Sequence, residues 1–227
     1  MDDLTLEQID TDGALSETLA AAEGHTRAQL LRGATLRTIA AVLAGEQPAG
    51  ARARSNDVAI LNFALSLEYL QEAFYNEVDR MRVLHGELAE QARVVGGHER
   101  AHVKAFRATL GSAAIRRPRF DFGGATEQPA AFRKTAVAFE DLAVAAYKGQ
   151  APRLASRAYL VSALSIHTVE ARHAAWIRRL AGVLPAASAF DEPRSRESTT
   201  RLVADTHFVV AAKVATTRRH KRPRFTG

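Results

Sequence analysis

Residues 68–75 read EYLQEAFY, and residues 140–147 read EDLAVAAY. Each segment begins with a glutamate and is followed some way along the chain by Glu-x-x-His, as ERAH at 99–102 and as EARH at 170–173. The separation between the two lone glutamates is almost the same as that between the two Glu-x-x-His elements. This repeat predicts two related helical hairpins that bring four carboxylates and two imidazoles into one bundle core.

The Glu-x-x-His spacing places both side chains on one face of a helix, because residues i and i+3 are neighbours there. Glu99 and Glu170 are therefore predicted to bridge two metal ions, while His102 and His173 each hold one ion. A donor set rich in carboxylates and free of sulfur favours iron, with manganese as the alternative and zinc less suited. We expect two divalent metal ions bound by six residues: Glu68, Glu99, His102, Glu140, Glu170 and His173.

The surroundings of the two lone glutamates indicate burial. A single glutamate on a helix is usually an exposed charge. Glu68, however, lies within LNFALSLEYLQEAFY (61–75), and Glu140 lies within TAVAFEDLAVAAY (135–147). Both segments are apolar enough to belong to a core, where a carboxylate needs partners. The sequence therefore favours ligands over two surface charges.

Other residues near the repeat have competing interpretations. Residues 98–102 read HERAH, which also fits the His-Glu-x-x-His motif of zinc proteases, but Val169 stands where a second copy would need a histidine. His98 and His167 are therefore predicted to be exposed or to support the ligands. Tyr75 and Tyr147 lie two helical turns beyond the lone glutamates, so each is expected either to pack in the core or to contact a ligand. Trp176 is predicted to be a core aromatic residue.

The composition is typical of a helical globular domain. The chain has 227 residues, of which 47% are hydrophobic and 25% charged, with seven prolines. It has no cysteine, which excludes disulfides, iron–sulfur clusters and thiolate zinc sites. The net charge is +6, and residues 213–227 alone carry six Lys and Arg. We therefore expect no specific nucleic-acid binding, and no apolar stretch approaches the roughly 20 residues that span a membrane.

The apolar periodicity and the helix-ending residues predict an all-α fold. Four helices are predicted over residues 58–82, 87–110, 130–148 and 154–180. Asp57 is expected to cap the first helix, and Gly149 is expected to end the third. Short turns within each pair predict antiparallel hairpins, and the long segment 112–129 predicts a crossover between them. The sequence predicts a ferritin-like four-helix bundle with an extra N-terminal helix and a C-terminal arm.

The remaining segments are assigned as follows: an N-terminal extension over residues 1–50, the bundle over 57–185, and a C-terminal arm with a basic tail over 186–227. Residues 26–45 have the order of a twin-arginine export signal, although Ala28 replaces the second arginine and Arg37 interrupts the apolar run. An amphipathic helix and a cytoplasmic location are favoured, and export is the alternative.

Three segments resemble a known family: PRFDFG (118–123), FEDLAVAAYKGQAP (139–152) and ALSIHTVEARHAAWIRRLAG (163–182). They are similar to the ferritin-like family that includes plant desiccation-related proteins, over about residues 57–190. The resemblance implies a ferritin-like bundle and the same six metal positions.

Two classes of function remain open at this point. One is redox chemistry with O₂ or peroxide, as an oxidase, ferroxidase or peroxide scavenger. The other is a metal-stabilised protective protein without catalysis. The expected partners are metal ions, O₂ or peroxide, and further copies of the chain in a homo-oligomer.

Overall fold

The bundle is described by a computed structural model over residues 51–210, with side chains from Ser55 onwards. Its α-helices are α1 (Ala51–Met81), α2 (Gly86–Leu110), α3 (Pro129–Gln150), α4 (Arg157–Leu180) and α5 (Arg196–Asp205). The most extensive helix packing is of α1 against α2 and of α3 against α4. The all-α bundle of two hairpins is confirmed.

The crossover between α2 and α3 contributes to the core. It contains two short 3₁₀ helices (Gly111–Ala113 and Gly123–Thr126) and the two-residue strand β1 (Arg119–Phe120). Strand β1 pairs antiparallel with β2 (Val209–Val210), so the crossover is held to the end of the described chain. Phe122 between these elements is 2% exposed and packs into the bundle.

Two apolar clusters fill opposite ends of the bundle, and the lone glutamates and Glu-x-x-His elements lie between them. The aromatic end is centred on Phe74, whose ring contacts those of Phe122, Phe132 and Phe139. The aliphatic end includes Ile60, Leu61, Leu65, Ala163 and Ile166. The core therefore differs in chemistry between its two ends.

The prediction that Asp57 caps the first helix is wrong. Helix α1 begins at Ala51, before Asp57, which lies inside it. The buried Asp57 carboxylate accepts hydrogen bonds from the backbone N–H groups of Ala155 and Ser156, at 2.8 and 2.9 Å. A carboxylate is favourable at a helix N-terminus, and this one serves α4, which begins directly after Ser156.

The prediction that Gly149 ends the third helix is also wrong, because α3 continues through it to Gln150. A Cβ atom at Gly149 would lie 2.8 Å from the carbonyl carbon of Arg194 and would overlap its oxygen. The Arg194 backbone N–H also donates to the carbonyl of Ala145, at 2.8 Å. Glycine is needed here for the close approach of the C-terminal segment rather than for helix termination.

The C-terminal arm packs on the bundle in part. Val203 and Phe208 contact the aromatic end, whereas Phe190, Leu202, Val209 and Val210 are exposed. Trp176 is only half-buried, so it is not the core aromatic residue that the sequence predicted. The N-terminal extension and the basic tail lie outside the described residues. Among the helices of the described part, none is long and apolar enough to cross a membrane.

Candidate metal centre

The six predicted ligands come together in the middle of the bundle. Helix α1 supplies one of them, α2 two, α3 one and α4 two. Their exposed fractions lie between 0% and 8%, and the four carboxylates are fully buried. They are Glu68, Glu99, His102, Glu140, Glu170 and His173.

These six side chains form two overlapping groups of four donors. The first group consists of Glu68, Glu99, His102 and Glu170, and the second of Glu99, Glu140, Glu170 and His173. Within each group, one donor atom from every residue lies within 4.8 Å of the others. Glu99 and Glu170 belong to both groups, which is the geometry expected of bridging carboxylates.

Each imidazole faces three carboxylates through its Nδ1 atom. His102 Nδ1 lies 3.1 Å from Glu68, 3.2 Å from Glu170 and 3.4 Å from Glu99. His173 Nδ1 lies 3.1 Å from Glu99, 3.5 Å from Glu140 and 3.8 Å from Glu170. One N–H can satisfy only one acceptor well, so each imidazole is surrounded by more acceptors than it can serve.

Several of these atoms consequently lack hydrogen bonds. Both oxygens of Glu99, one oxygen each of Glu140 and Glu170, and Nδ1 of His173 are buried with no hydrogen-bond partner among the described residues. Buried polar atoms normally have such partners. Divalent cations at the two positions would satisfy them, so the donor set fits two metal ions of the kind that take oxygen and nitrogen ligands.

In the metal-free cluster, bound protons compensate part of the negative charge of the four carboxylates. Burial raises the pKa of Glu68 to about 8 and that of Glu140 to about 7, against the partial compensation of the nearby imidazoles. Burial alone would also raise the pKa of Glu99 and Glu170, but the adjacent imidazoles of His102 and His173 lower both below the usual value. The outer carboxylates, Glu68 and Glu140, therefore hold protons more strongly than Glu99 and Glu170 do.

The pKa values of both imidazoles in the cluster are raised. Burial lowers the pKa of His102, but the Glu68 carboxylate and its hydrogen-bonded neighbours raise it well above the usual range. The pKa of His173 is raised in the same way by the carboxylates that face its Nδ1 atom, those of Glu140, Glu170 and Glu99. The metal-free cluster therefore holds protons on carboxylates and imidazoles together, and metal binding would replace these protons.

The tyrosines predicted to share the ligand face contact the ligands, and they do so across the two hairpins. Tyr75 on α1 donates a hydrogen bond to Glu140 Oε1 on α3, at 2.5 Å. Tyr147 on α3 donates to Glu68 Oε1 on α1. Burial and the adjacent carboxylate raise the pKa of both hydroxyls, so both remain protonated donors. Each lone glutamate is therefore oriented by the other hairpin.

Two further contacts break the pseudo-symmetry of the repeat. His98 Nδ1 lies 2.8 Å from His173 Nε2, the nitrogen that faces away from the cluster. Gln71 Nε2 donates to Glu170 Oε2 at 3.3 Å. The equivalent positions hold Val169 and Ala143, which cannot form these bonds. Gln71 was not predicted to belong to the site, although its position one turn after Glu68 places it on the ligand face of the helix.

The zinc-protease interpretation gains no support from this arrangement. His98 belongs to neither donor group within residues 55–210; its imidazole stacks on that of His173, with the ring centres 5.1 Å apart. Its pKa is lowered to about 4, first by burial and then by the neighbouring imidazoles. His98 is placed to orient His173 rather than to bind an ion. His167, the other predicted supporting histidine, is half-buried and also outside both groups.

Comparison with known protein families gives a match that covers the bundle. The model of a family described as a ferritin-like domain matches residues 56–183, which is more than half of the chain and includes all six clustered residues. Among curated proteins, none matches the sequence significantly.

Proposed function

The chain belongs to the ferritin-like domain family, and on this premise we propose that it is a dinuclear metal protein that reacts with O₂ or peroxide. The metal ligands in this proposal are Glu68, Glu99, His102, Glu140, Glu170 and His173. Iron is the favoured metal and manganese the alternative. The bundle over residues 57–185 is the proposed functional unit.

The sharing of Glu99 and Glu170 between the two donor groups carries the proposal. Two buried cation positions that share two carboxylates are typical of dinuclear centres in four-helix bundles. The four carboxylates match the charge of two divalent ions. A purely structural ion would need only one group of four.

When bound, two reduced ions supply the two electrons that convert O₂ and two protons into hydrogen peroxide, or hydrogen peroxide and two protons into two waters. The side chains of this protein orient and shield that chemistry. Tyr75 and Tyr147 hold the outer glutamates by hydrogen bonds, and His98 holds the imidazole of His173. Such contacts fix ligand direction and strengthen metal binding.

A second function is favoured by the complete burial of the carboxylates. Ions at this position would join all four helices and would stabilise the folded state by binding it alone. We therefore keep, as the alternative, a metal-stabilised protective protein without catalysis. The resemblance to desiccation-related proteins supports a role in stress protection under either function.

The test is anaerobic loading with Fe(II), followed by metal analysis, native mass spectrometry and measurement of O₂ or peroxide consumption. The redox proposal expects about two ions per chain and stoichiometric oxidation that is faster than that of free Fe(II). Binding of two ions that raises the melting temperature without accelerating oxidation would favour the protective function. Binding of no ions would contradict both.

A further inference from the structure

A small apolar cavity lies at the aliphatic end of the bundle, directly beside Tyr147. Its volume is about 20 Å³, which is room for a molecule the size of water or O₂. Its walls include Ile60, Leu67, Ala146 and Ala163, with the Tyr147 ring on the side of the cluster. Gln150 also lines the cavity, but the surface exposed to it is entirely apolar. Since Tyr147 donates to Glu68, one side chain separates the cavity from a proposed metal ligand.

The repeat explains why the cavity exists at this end. Ala146 is the counterpart of Phe74 in the other copy of the repeat, just as Tyr147 is the counterpart of Tyr75. Likewise, Ile60 and Leu67 correspond to Phe132 and Phe139. At the aromatic end these three phenylalanines fill the equivalent space: the ring centre of Phe74 lies 5.2 Å from that of Phe132 and 5.1 Å from that of Phe139. The three smaller side chains leave part of the space beside Tyr147 open, although Phe106 in the same wall is larger than its counterpart Ile177.

A second cavity of about 20 Å³ lies beside the first and nearer the surface. The two cavities share Leu61, Phe106 and Ala163 as walls. The outer one extends between α2 and α4 to the half-buried Thr109 and Tyr159. The Thr109 hydroxyl donates to a carbonyl of its own helix, as does that of Ser162 in the same wall, so neither is left to attract water.

We propose that these two cavities are the entry path and holding site for dioxygen, which reaches the centre from the Tyr147 side, next to Glu68 and His102. This inference rests on the proposed redox function and narrows its oxidant. An apolar cavity stays dry and accepts small apolar molecules such as xenon. Hydrogen peroxide would have to leave its hydrogen bonds with water to enter, which is costly. The path therefore selects O₂ over peroxide.

The first test is xenon binding, by crystallography under xenon pressure or by xenon NMR, in the metal-free and the metal-loaded protein. Xenon is expected beside Ala146 in both forms, because the cavity walls contain no ligand. Absence of xenon from both cavities would overturn the proposal. This readout is independent of redox activity, so a chain that binds xenon but does not oxidise Fe(II) would refute the proposed function alone.

The second test fills the cavity beside Tyr147 with a phenylalanine, the residue found at the equivalent position, Phe74, in the other copy of the repeat. Ala146→Phe is expected to abolish xenon binding and to slow O₂-driven oxidation of the Fe(II)-loaded protein several-fold. Oxidation by added peroxide should remain unchanged. The proposed path would be overturned if oxidation by O₂ and by peroxide slowed equally. It would also be overturned if a variant that no longer binds xenon oxidised Fe(II) with O₂ at the unchanged rate.

A substitution that adds less volume tests the same path if the Ala146→Phe variant does not fold. Ala163→Val narrows both cavities at their shared wall and should give the same O₂-selective loss. Ala158→Val is its matched control, since Ala158 lies on the same helix and is equally buried, at 6% exposed, without lining either cavity. An equal effect of the two valines on O₂ oxidation would overturn the proposal.

Discussion

The Tyr75 hydroxyl on α1 donates a 2.5 Å hydrogen bond to Glu140 on α3, which belongs to the other hairpin. The repeat-related bond runs from Tyr147 on α3 to Glu68 on α1. Each hairpin therefore holds the outer carboxylate of its partner. The two hairpins cannot shift relative to each other without disturbing both ends of the cluster.

Removing these hydroxyls should weaken the bundle. Tyr75→Phe and Tyr147→Phe are each expected to lower the free energy of unfolding by about 1–3 kcal/mol, because each leaves a buried carboxyl oxygen without its donor. Chemical denaturation of the metal-free protein measures this. Tyr159→Phe is the control, since the half-buried Tyr159 packs on the aliphatic end and its hydroxyl forms no hydrogen bond within residues 55–210. Equal losses in all three variants would contradict the prediction.

The bridging carboxylates should decide metal stoichiometry. The double substitution Glu99→Gln and Glu170→Gln is expected to reduce about two ions per chain to none, since both donor groups lose two negative charges. Elemental analysis and native mass spectrometry measure the ratio. Glu72→Gln is the control: Glu72 is also buried, one turn from Glu68, but pairs with Arg117 at 2.6 Å. Full metal content in the double variant would refute the ligand assignment.

The stability of the metal-free protein should fall as pH rises from about 6.5 to about 8, since the opposing effect of the lowered His98 pKa is confined to lower pH. Glu68 and Glu140 have pKa values of about 8 and 7 in the folded chain, so the folded state binds more protons than the unfolded state over this range. The raised pKa values of His102 and His173 act in the same direction, because their stabilising charge is lost as pH rises.

Metal binding should show the opposite trend, since metal ions compete with the same protons. The difference in melting temperature between Mn(II)-loaded and chelator-treated protein is therefore expected to widen from pH 6 to pH 8. Thermal denaturation at three pH values measures it. A constant or shrinking difference would show that the cluster does not exchange protons for metal.

His98 should make the two metal positions unequal. His98→Val introduces the residue found at the equivalent position of the other hairpin, and should weaken the ion held by His173 about 10–100-fold. The ion held by His102 should be unaffected. Stepwise Mn(II) titration followed by EPR separates the two ions. Val169→Ala serves as the control at the equivalent position, and equal weakening of both ions by His98→Val would argue against a positioning role.

Gly149 provides a test of the C-terminal packing. Helix propensity alone predicts that Gly149→Ala stabilises α3 by about 1 kcal/mol. The overlap with the Arg194 backbone predicts the reverse, a loss of about 1–3 kcal/mol, because a backbone carbonyl cannot move aside as a flexible side chain can. We expect the overlap to dominate in chemical denaturation. Gly124→Ala, which meets no atom within 4 Å, should be nearly neutral.

Local patterns in the sequence were enough to predict the hairpins and the six clustered residues. Apolar spacing determines helices, and Glu68 and Glu140 stand out because a charge in an apolar helix demands partners. Asp57 and Gly149 were misread because each makes its contact far along the chain, Asp57 with Ser156 and Gly149 with Arg194. In sequence alone, a carboxylate that caps a distant helix looks like a local N-cap, and a contact glycine looks like a helix stop.

The asymmetry between the two ends was equally hidden before packing was known. Phe74 and Ala146 are both acceptable core residues, and only the ring contacts around Phe74 reveal what Ala146 leaves unfilled. The hydrogen bond from Gln71 to Glu170 depends likewise on how α1 and α4 face each other. Periodicity gives the face of a helix but not the identity of its neighbour.

The joining of both hairpins in one chain has a consequence for symmetry. A centre assembled from two copies of one hairpin would contain every residue twice, so both its ends would be aromatic or both would contain a cavity. His98 would then support both imidazoles or neither. In a single chain, positions related by the repeat can differ, as Phe74 differs from Ala146 and His98 from Val169. Because both hairpins belong to one chain, the ligands can keep a two-fold arrangement while a cavity for a small molecule lies at one end of the bundle.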